Sequence, residues 1–447
     1  MATDDIAISS RVTVSGDVHL ILADGCELTV NGGINVDTSN ALTIYAQSTN
    51  ESTMGKLSAN AVDGYAGIGG NSAGTITING GNITATGDGV GSGIGGGAGC
   101  VYDAITINGG TVIARGGDAS SSGIGAGNGG QTGSTITISG GTVVATGTSL
   151  GINASESSTI STRDDGHAVI FASGDDQALN SRDNRSSWSG VIFEGNSGKV
   201  YGTSVTPSVD FTIESGKTLT IDSDKTLTIP EGVTLTNNGS IYVDGTLTAL
   251  GTNSGTGATY GLLTLTNCSP VDDSMLHSYN GKTYGKAGDT ISLTATNTPT
   301  AGEELTWSAE PATDISNNSF VMPFNGLAVT ATISPKTFQI DYQTNGGTIN
   351  GSYSDSYTYR QGVSLPTDVK KSGYTFAGWY DNQACTGNTI SAIGTTETGY
   401  KTFYAKWTPK TYTVKFITNG GSAIDDKTVS WEDTVLSGIT DPAKPGW

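Results

Sequence analysis

The sequence has 447 residues, 66 of them glycine, and its 21 basic and 41 acidic side chains give a formal net charge of −20. At about 100–200 residues per domain, this length allows two to four domains. The negative charge argues against nucleic acid and anionic lipid as partners. There is no run of about 18 apolar residues, so the sequence predicts no membrane insertion.

Short runs of alternating Val, Ile and Thr recur along the whole chain. β-Branched residues at a period of two favour strands that are buried on one side. A disordered chain would carry more charge and fewer of these residues. The composition therefore predicts a folded, all-β protein.

A unit of two strands recurs three times in the N-terminal half. The copies are TITINGGNITATG at 75–87, AITINGGTVIARG at 104–116 and TITISGGTVVATG at 135–147. Their starting positions, 75, 104 and 135, are nearly evenly spaced. A unit this small cannot bury its apolar face alone, but stacked units bury one continuous column.

Alternation assigns the side chains of each unit to an inner and an outer face, with Ile76, Ile105 and Ile136 as equivalent inner residues. At the corner that follows, Asn79, Asn108 and Ser139 occupy the same place in successive copies, where stacked side chains can hydrogen-bond along the axis. An Asn-Gly pair also suits a hairpin. The recurrence of the whole unit favours a Gly-rich parallel β-helix, which we predict for residues 1–205.

A shorter period follows this repeat. Leu219, Leu227 and Leu235 are eight residues apart and sit in the segments KTLTI, KTLTI and VTLTN. Turn residues separate the segments, and alternation continues beyond them. We interpret residues 206–268 as a short-period extension of the solenoid.

Small modules make up the remainder of the chain. Residues 275–335 contain GDTISLTAT, FVMP and LAVTATI, which resemble a bacterial surface repeat. The short alternating strands favour a small Ig-like β-sandwich over 269–336.

Residues 337–409 contain FQIDYQTNGG, GYTFAGWY and FYAKW, and they resemble the Listeria–Bacteroides repeat, the internalin B-type repeat family. The resemblance implies a compact β-grasp-like module that occurs in tandem on bacterial surface proteins. Phe403, Ala405 and Trp407 share one face of a strand, and we expect Tyr374 and Phe376 to complete the core. An incomplete second copy is predicted over 410–447, because the TNGG that begins at position 344 recurs at position 418.

The repeat texture of residues 1–265 resembles the Gly-rich β-helix regions of anaerobe surface proteins, some of which bind carbohydrate. Together with the C-terminal modules, this implies an extracellular, cell-surface protein. The start of the sequence lacks a basic and apolar leader. We therefore expect a signal peptide and a wall anchor to lie outside this sequence.

The β-helix raises the hypothesis of a polysaccharide lyase or hydrolase, since such enzymes use clustered carboxylates. The charged segment where the repeat breaks supplies Asp164, Asp165 and His167 as candidate catalytic residues. It resembles the Asp-Asp and Gly-His pieces of polygalacturonase, but the Asn-Thr-Asp and Arg-x-Lys companions are missing. A polar loop explains the same residues and is the favoured interpretation.

Metal and cofactor signals are weak. The four cysteines lie far apart in the sequence without a CxxC pair, which fits neither a disulfide framework nor a zinc site. The acidic pairs Asp222/Asp224 and Asp272/Asp273 are candidate Ca²⁺ positions, but the calcium-binding nonapeptide is absent. We expect no cofactor.

Aromatic rings next to polar side chains are the usual way to hold a sugar. Trp188, with Arg182 and Arg185 nearby, is the best such candidate on the solenoid. The sequence therefore predicts a non-catalytic adhesin or spacer that binds a glycan or a surface protein, with an enzyme acting on uronate-rich polysaccharide as the alternative.

Overall fold

The computed structural model describes residues 4–50, 52–129, 135–153, 166–180, 185, 188–434 and 438–444. Asp164, Asp165 and Arg182 lie outside the described residues. The chain forms two compact units. The first comprises 1–265, 270–293 and 309–329, and the second comprises 266–269, 294–308 and 330–447.

The first unit begins with a parallel solenoid, the first solenoid, whose strands stack into three sheets. Face 1 contains Asp17–Leu22, Ala41–Ala46, Ala73–Ile78, Tyr102–Ile107 and Thr135–Ile138. Face 2 contains Ile6–Ile8, Glu27–Gly32, Lys56–Ala61, Asn82–Thr86, Thr111–Arg115, Thr142–Gly147, Val169–Gly174 and Gly190–Glu194. Face 3 contains Val12–Thr13, Ile34–Asn35, Ile68–Gly70, Ile94–Gly96, Ser122–Gly125, Leu150–Asn153 and Gln177–Leu179.

The register confirms the predicted coil stacking. On face 1 the Cα partners of Ile105 are Ile76 in the coil before it and Ile136 in the coil after it. All three side chains are fully buried in one apolar column. Equivalent residues of successive repeat units are thus neighbours in space, and the predicted fold class is confirmed.

The polar corner also forms as predicted. The side-chain amide of Asn108 donates to Oδ1 of Asn79 at 2.9 Å, and the hydroxyl of Ser139 donates to Oδ1 of Asn108 at 2.7 Å. This ladder links three successive coils along the axis, where the strands of face 1 end.

Replacing Asn108 by alanine removes both bonds of the ladder at once. We expect Asn108→Ala to lower the free energy of unfolding by about 1 kcal/mol, because each intramolecular hydrogen bond contributes about 0.5–1.5 kcal/mol and this site is partly solvated. Chemical denaturation measures the change. Asn128→Ala, at an exposed position of the same solenoid, is the matched control, and equal losses in the two variants would contradict the ladder's role.

Face 3 is built from backbone stacked on backbone. Gly69, Gly95 and Gly125 lie one above another with φ of +139°, +128° and +120°. A Cβ on Gly95 would lie 2.1 Å from the carbonyl oxygen of Gly125. In the Gly-Ile-Gly pattern the isoleucine fills the core, and the second glycine stands where the neighbouring coil leaves no room for a side chain.

The winding direction reverses after residue 194. Gly190–Glu194 pairs antiparallel with Ser197–Tyr201, and the later strands are parallel to the second of these. Face 2 continues through Thr218–Ile221, Ser240–Val243 and Ala258–Thr266 to Lys282–Lys286 and Leu276–Tyr279. The other walls of this second solenoid are Ser204–Val205, Thr226–Ile229 and Thr246–Ala249 (face 4), and Phe211–Ile213, Thr234–Asn237 and Thr252–Ser254 (face 5).

The eight-residue spacing has a specific meaning in the second solenoid. Leu219, Leu227 and Leu235 lie on three different sheets. Thr218 pairs with Ser240, so one full coil separates these two positions and contains all three leucines. The short period thus marks the three walls of one coil, and the predicted narrow solenoid is present.

The two solenoids use opposite faces of their shared sheet. Ile170 and Ile192 point into the first apolar column, whereas Val169, Val191 and Phe193 belong to the second. Reversing the chain direction alone would invert the hand of the coil, and changing the face restores it. Crossovers between parallel strands are overwhelmingly right-handed, which explains why both changes occur together.

The segment that follows is also built of strands. It contains the 3-10 turn Asp273–Met275 and the strands Cys268–Pro270, Thr290–Ala295, Glu303–Glu310, Ser319–Val321 and Leu327–Pro335. The described part of the chain contains no helix that could span a membrane.

Within the second unit, residues 337–409 form a mixed four-stranded sheet in the order Ser356–Thr358, Thr337–Gln343, Lys401–Pro409 and Tyr374–Tyr380. Short pairs join Thr348–Ile349 to Val369–Lys370, Val363–Ser364 to Ala392–Ile393, and Thr411–Val414 to Lys427–Ser430. The predicted core forms around Phe403 and Ala405, with Phe376 and Trp407 packed against it. Tyr374 does not join this core, because its hydroxyl reaches out to Glu432.

Candidate functional site

The face change creates a groove within the first unit. Because the second solenoid begins on the outer side of face 2, its face 5 stands beside the outward side chains of the first solenoid. A concave space of about 600 Å³ lies between them. We call this space the groove.

The walls of the groove are rich in hydroxyl groups. One wall presents outward residues of face 2, and the other presents residues of face 5 and the turn after it. The lining residues that carry polar groups are Thr111, Thr142, Ser173, Asp210, Thr212, Glu214, Lys217, Thr234 and Thr236. Asp210 and Glu214 are exposed, and Phe171 contributes a half-buried aromatic ring.

Two of the charged side chains are held in place by backbone groups. Oδ1 of Asp210 accepts a hydrogen bond from the amide of Thr234 at 2.6 Å. The ammonium of Lys217 donates to the carbonyl of Gly195 at 2.7 Å and lies 5.9 Å from the centres of the Phe171 and Phe193 rings. Those two rings stack at 4.8 Å. The groove therefore presents an ordered set of polar groups beside an aromatic surface.

The predicted Trp188 site has a different character. The Trp188 ring is only 2% exposed and packs edge-on against Tyr201 at 5.2 Å, at the end of the first apolar column. Cζ of Arg185 lies 5.4 Å from the ring centre. The guanidinium forms a bidentate ion pair with the two carboxylate oxygens of Glu194, at 2.6 and 2.8 Å. Burial raises the pKa of Tyr201, and the charge of Glu194 raises it further. This ring stabilises the column and offers no open face to a sugar.

The candidate catalytic residues fall largely outside the described part of the chain, as Asp164 and Asp165 do. His167 is described, and its Nδ1 lies 2.7 Å from the carbonyl oxygen of Thr206. Arg182, a predicted partner of Trp188, also falls outside. The lyase or hydrolase alternative stays a prediction.

In each candidate Ca²⁺ pair, one carboxylate makes a local contact. Asp224 forms an ion pair with Lys225 at 3.1 Å, and Asp272 accepts from the amide of Ser274 at 2.9 Å. The hydrogen bond from Lys225 lowers the pKa of Asp224, and hydrogen bonds from the side chain and the backbone amide of Ser274 lower the pKa of Asp272. No group of three potential ligands from His, Cys, Asp and Glu is arranged to hold a metal in the part of the chain that the structure describes.

The groove residues Asp210, Glu214 and Lys217 are absent from the sequence-based candidates. One signal for them is present in the sequence: VIF occurs at both 169–171 and 191–193, and three consecutive apolar residues break the alternation. Such a run is typical of a strand buried on both sides. The run indicates that another part of the protein covers the outer side of face 2. It does not indicate which residues form the walls of the groove.

Two solenoids sharing one sheet, a polar groove beside that sheet and a set of small β modules define an all-β repeat protein. Residues 338–406 match the Listeria-Bacteroides repeat domain. This agrees with the resemblance described for residues 337–409. No solved structure matches the chain.

Two proteins of Evansella cellulosilytica are similar to part of this chain. One, named "Putative Gly-rich membrane protein", is 29% identical over 109 residues, which is 24% of this chain and 12% of that protein. The other, named "Putative membrane protein", is 31% identical over 108 residues, which is 24% of this chain and 15% of that protein. This chain thus spans only a small part of the length of either relative.

Proposed function

We propose that this chain is part of a non-catalytic bacterial surface protein and that its groove binds an uncharged polysaccharide. The groove between the two solenoids is the observation that carries the proposal. The Listeria-Bacteroides repeat and the two membrane-protein relatives support the surface location.

The chemistry of the groove suits sugar hydroxyls. The threonine side chains of its walls both donate and accept hydrogen bonds. The carboxylates of Asp210 and Glu214 accept strong charge-assisted hydrogen bonds from hydroxyl groups. The ring of Phe171 provides an apolar surface for the C–H groups of a sugar.

The charge of the groove favours a neutral ligand over a uronate. Two exposed carboxylates face one lysine, whose ammonium is already bonded to a backbone carbonyl. The whole chain also carries a net charge of −20. An acidic polysaccharide would therefore be repelled both locally and at long range.

Glu214 provides the sharpest test of this proposal. A titration of neutral and uronate oligosaccharides by calorimetry should detect binding of a neutral glycan only. Glu214→Ala should weaken that binding about 10-fold, because a hydrogen bond to a charged group contributes about 1.5–3 kcal/mol.

The matched control is Glu231→Ala, since Glu231 is exposed on a turn of the same solenoid but does not line the groove. It should leave the affinity unchanged. Equal effects of the two substitutions, or tighter binding of uronates, would contradict the groove proposal. Release of shortened products from the bound glycan would contradict the non-catalytic role.

A further inference from the structure

The boundary between modules in the second unit is built twice from the same elements. The linker reads PKTF at 335–338 and PKTY at 409–412. In each copy the backbone N–H of the lysine donates to the backbone carbonyl of a glycine in the preceding segment. Lys336 donates to Gly302 at 2.9 Å, and Lys410 donates to Gly373 at 2.9 Å. Both glycines lie in a tight turn, closed by bonds from Glu303 to Thr300 and from Tyr374 to Lys371.

An aromatic ring from the following module covers each of these glycines. The amides of Tyr359 and Trp431 donate to the carbonyls of Lys336 and Lys410, at 3.0 and 2.9 Å. A Cβ on Gly302 would lie 2.5 Å from the Tyr359 ring, and a Cβ on Gly373 would lie 2.2 Å from the Trp431 ring. Several atoms of each ring lie at nearly this distance. The face of the ring therefore rests on the glycine, where only a hydrogen atom fits.

A polar contact beside the ring also recurs. In both places, the residue that follows the glycine in the sequence contacts the residue that follows the aromatic residue. Glu303 forms an ion pair with Arg360 at 2.6 Å, and the Tyr374 hydroxyl donates to Glu432. The residue types differ, but the positions of the two contacts are equivalent.

We infer that the glycine turn is a docking surface for the next repeat module. The module binds this turn through its linker lysine (Lys336 or Lys410) and through the aromatic residue that covers the glycine (Tyr359 or Trp431). Modules joined by a short linker normally move relative to one another. Here a backbone hydrogen bond from the linker lysine to the glycine, a ring packed on that glycine and a polar contact fix their orientation, twice in succession. The inference concerns the array itself and does not depend on the proposed glycan groove.

Gly373→Ala in the full chain tests the docking surface, with amide hydrogen exchange followed by mass spectrometry as the readout. The added methyl group would displace Trp431. The peptide that contains the amide of Lys410 should exchange at least about 10-fold faster, because the bond of this amide to Gly373 exists only while the joint is closed. Peptides from the core strands Thr337–Gln343 and Lys401–Pro409 upstream of the linker should keep their protection.

Gly387→Ala is the matched control. Gly387 has φ of +89°, close to the +79° of Gly373, but nothing lies within 4 Å of an added Cβ. Its substitution carries the same backbone strain and should leave the joint protected. Unchanged exchange at the joint in Gly373→Ala, or an equal increase in Gly387→Ala, would overturn the inference.

Trp431→Ala covers the case in which Gly373→Ala unfolds the whole module. It leaves the turn intact and removes only the ring, so exchange at Lys410 should again increase while the core of 337–409 stays protected. Normal protection of Lys410 in Trp431→Ala would show that the ring does not hold the joint, and this result would also overturn the inference.

Discussion

Gly95→Ala is expected to destabilise the first solenoid by about 3 kcal/mol or more, because it combines backbone strain, which costs on the order of 1–3 kcal/mol, with a steric overlap. The alanine Cβ would lie 2.1 Å from the carbonyl oxygen of Gly125, and φ at this position is +128°. Neither the carbonyl nor the coil above can move away without breaking face 3.

The measurement is thermal unfolding, where a loss of this size should lower Tm by on the order of 10 °C. Gly99→Ala is the control, because Gly99 also has a positive φ, +65°, and has nothing within 4 Å of an added Cβ. The two sites differ in whether the methyl group meets the next coil and in backbone conformation, because a φ of +65° is open to other residues and a φ of +128° is essentially restricted to glycine. Similar Tm values for the two would contradict the stacked glycine wall.

Ile105→Ala is expected to lower the free energy of unfolding by about 2–5 kcal/mol, as large-to-small substitutions in packed cores do. Ile105 is fully buried between Ile76 and Ile136, so the cavity would open in the middle of the column. The rigid coils on either side limit collapse into that cavity.

Thr106→Ala is the control for this second prediction. Thr106 is the next residue of the same strand, points outward and is half-exposed. Its loss should change stability by about 0.5 kcal/mol or less. Denaturant unfolding of both variants separates the inner from the outer face. A larger effect at Thr106 than at Ile105 would mean that the faces are assigned the wrong way round.

The architecture of the first solenoid was predictable because its determinants are local and repeated. Alternation places Ile76 and Ile78 inward, and the recurrence of the whole unit selects stacked coils over a hairpin. The Asn79–Asn108–Ser139 ladder followed from the same register. Each of these features depends on a pattern that recurs in several repeat units of the sequence.

The groove was not predictable in the same way. It exists because the chain reverses at Gly190–Glu194 and builds its second core on the other side of the shared sheet. This reversal occurs only once among the described residues, so no repeated sequence pattern predicts it. The wall residues Asp210 and Glu214 stand on exposed loops whose composition is ordinary, and only tertiary packing brings them opposite face 2.

Trp188 is the opposite case, because the sequence indicated it as a binding residue and the structure buries it. A tryptophan beside arginines in a polar segment suits a sugar site and also suits the end of an apolar column. The sequence does not decide between these roles, since the ring's exposure depends on Tyr201, which follows after the chain reversal. Its 2% exposure places it in the column.

Methyl NMR spectroscopy of the isoleucine δ1-labelled chain tests the stacking of coils most directly. Assigned through Ile105→Val, the Ile105 methyl group should show nuclear Overhauser contacts to Ile76 and to Ile136, which are distant in sequence and are its register partners in the coils before and after it. Contacts from Ile105 only to its own unit, with none to either of those two residues, would contradict the solenoid and the groove that depends on it.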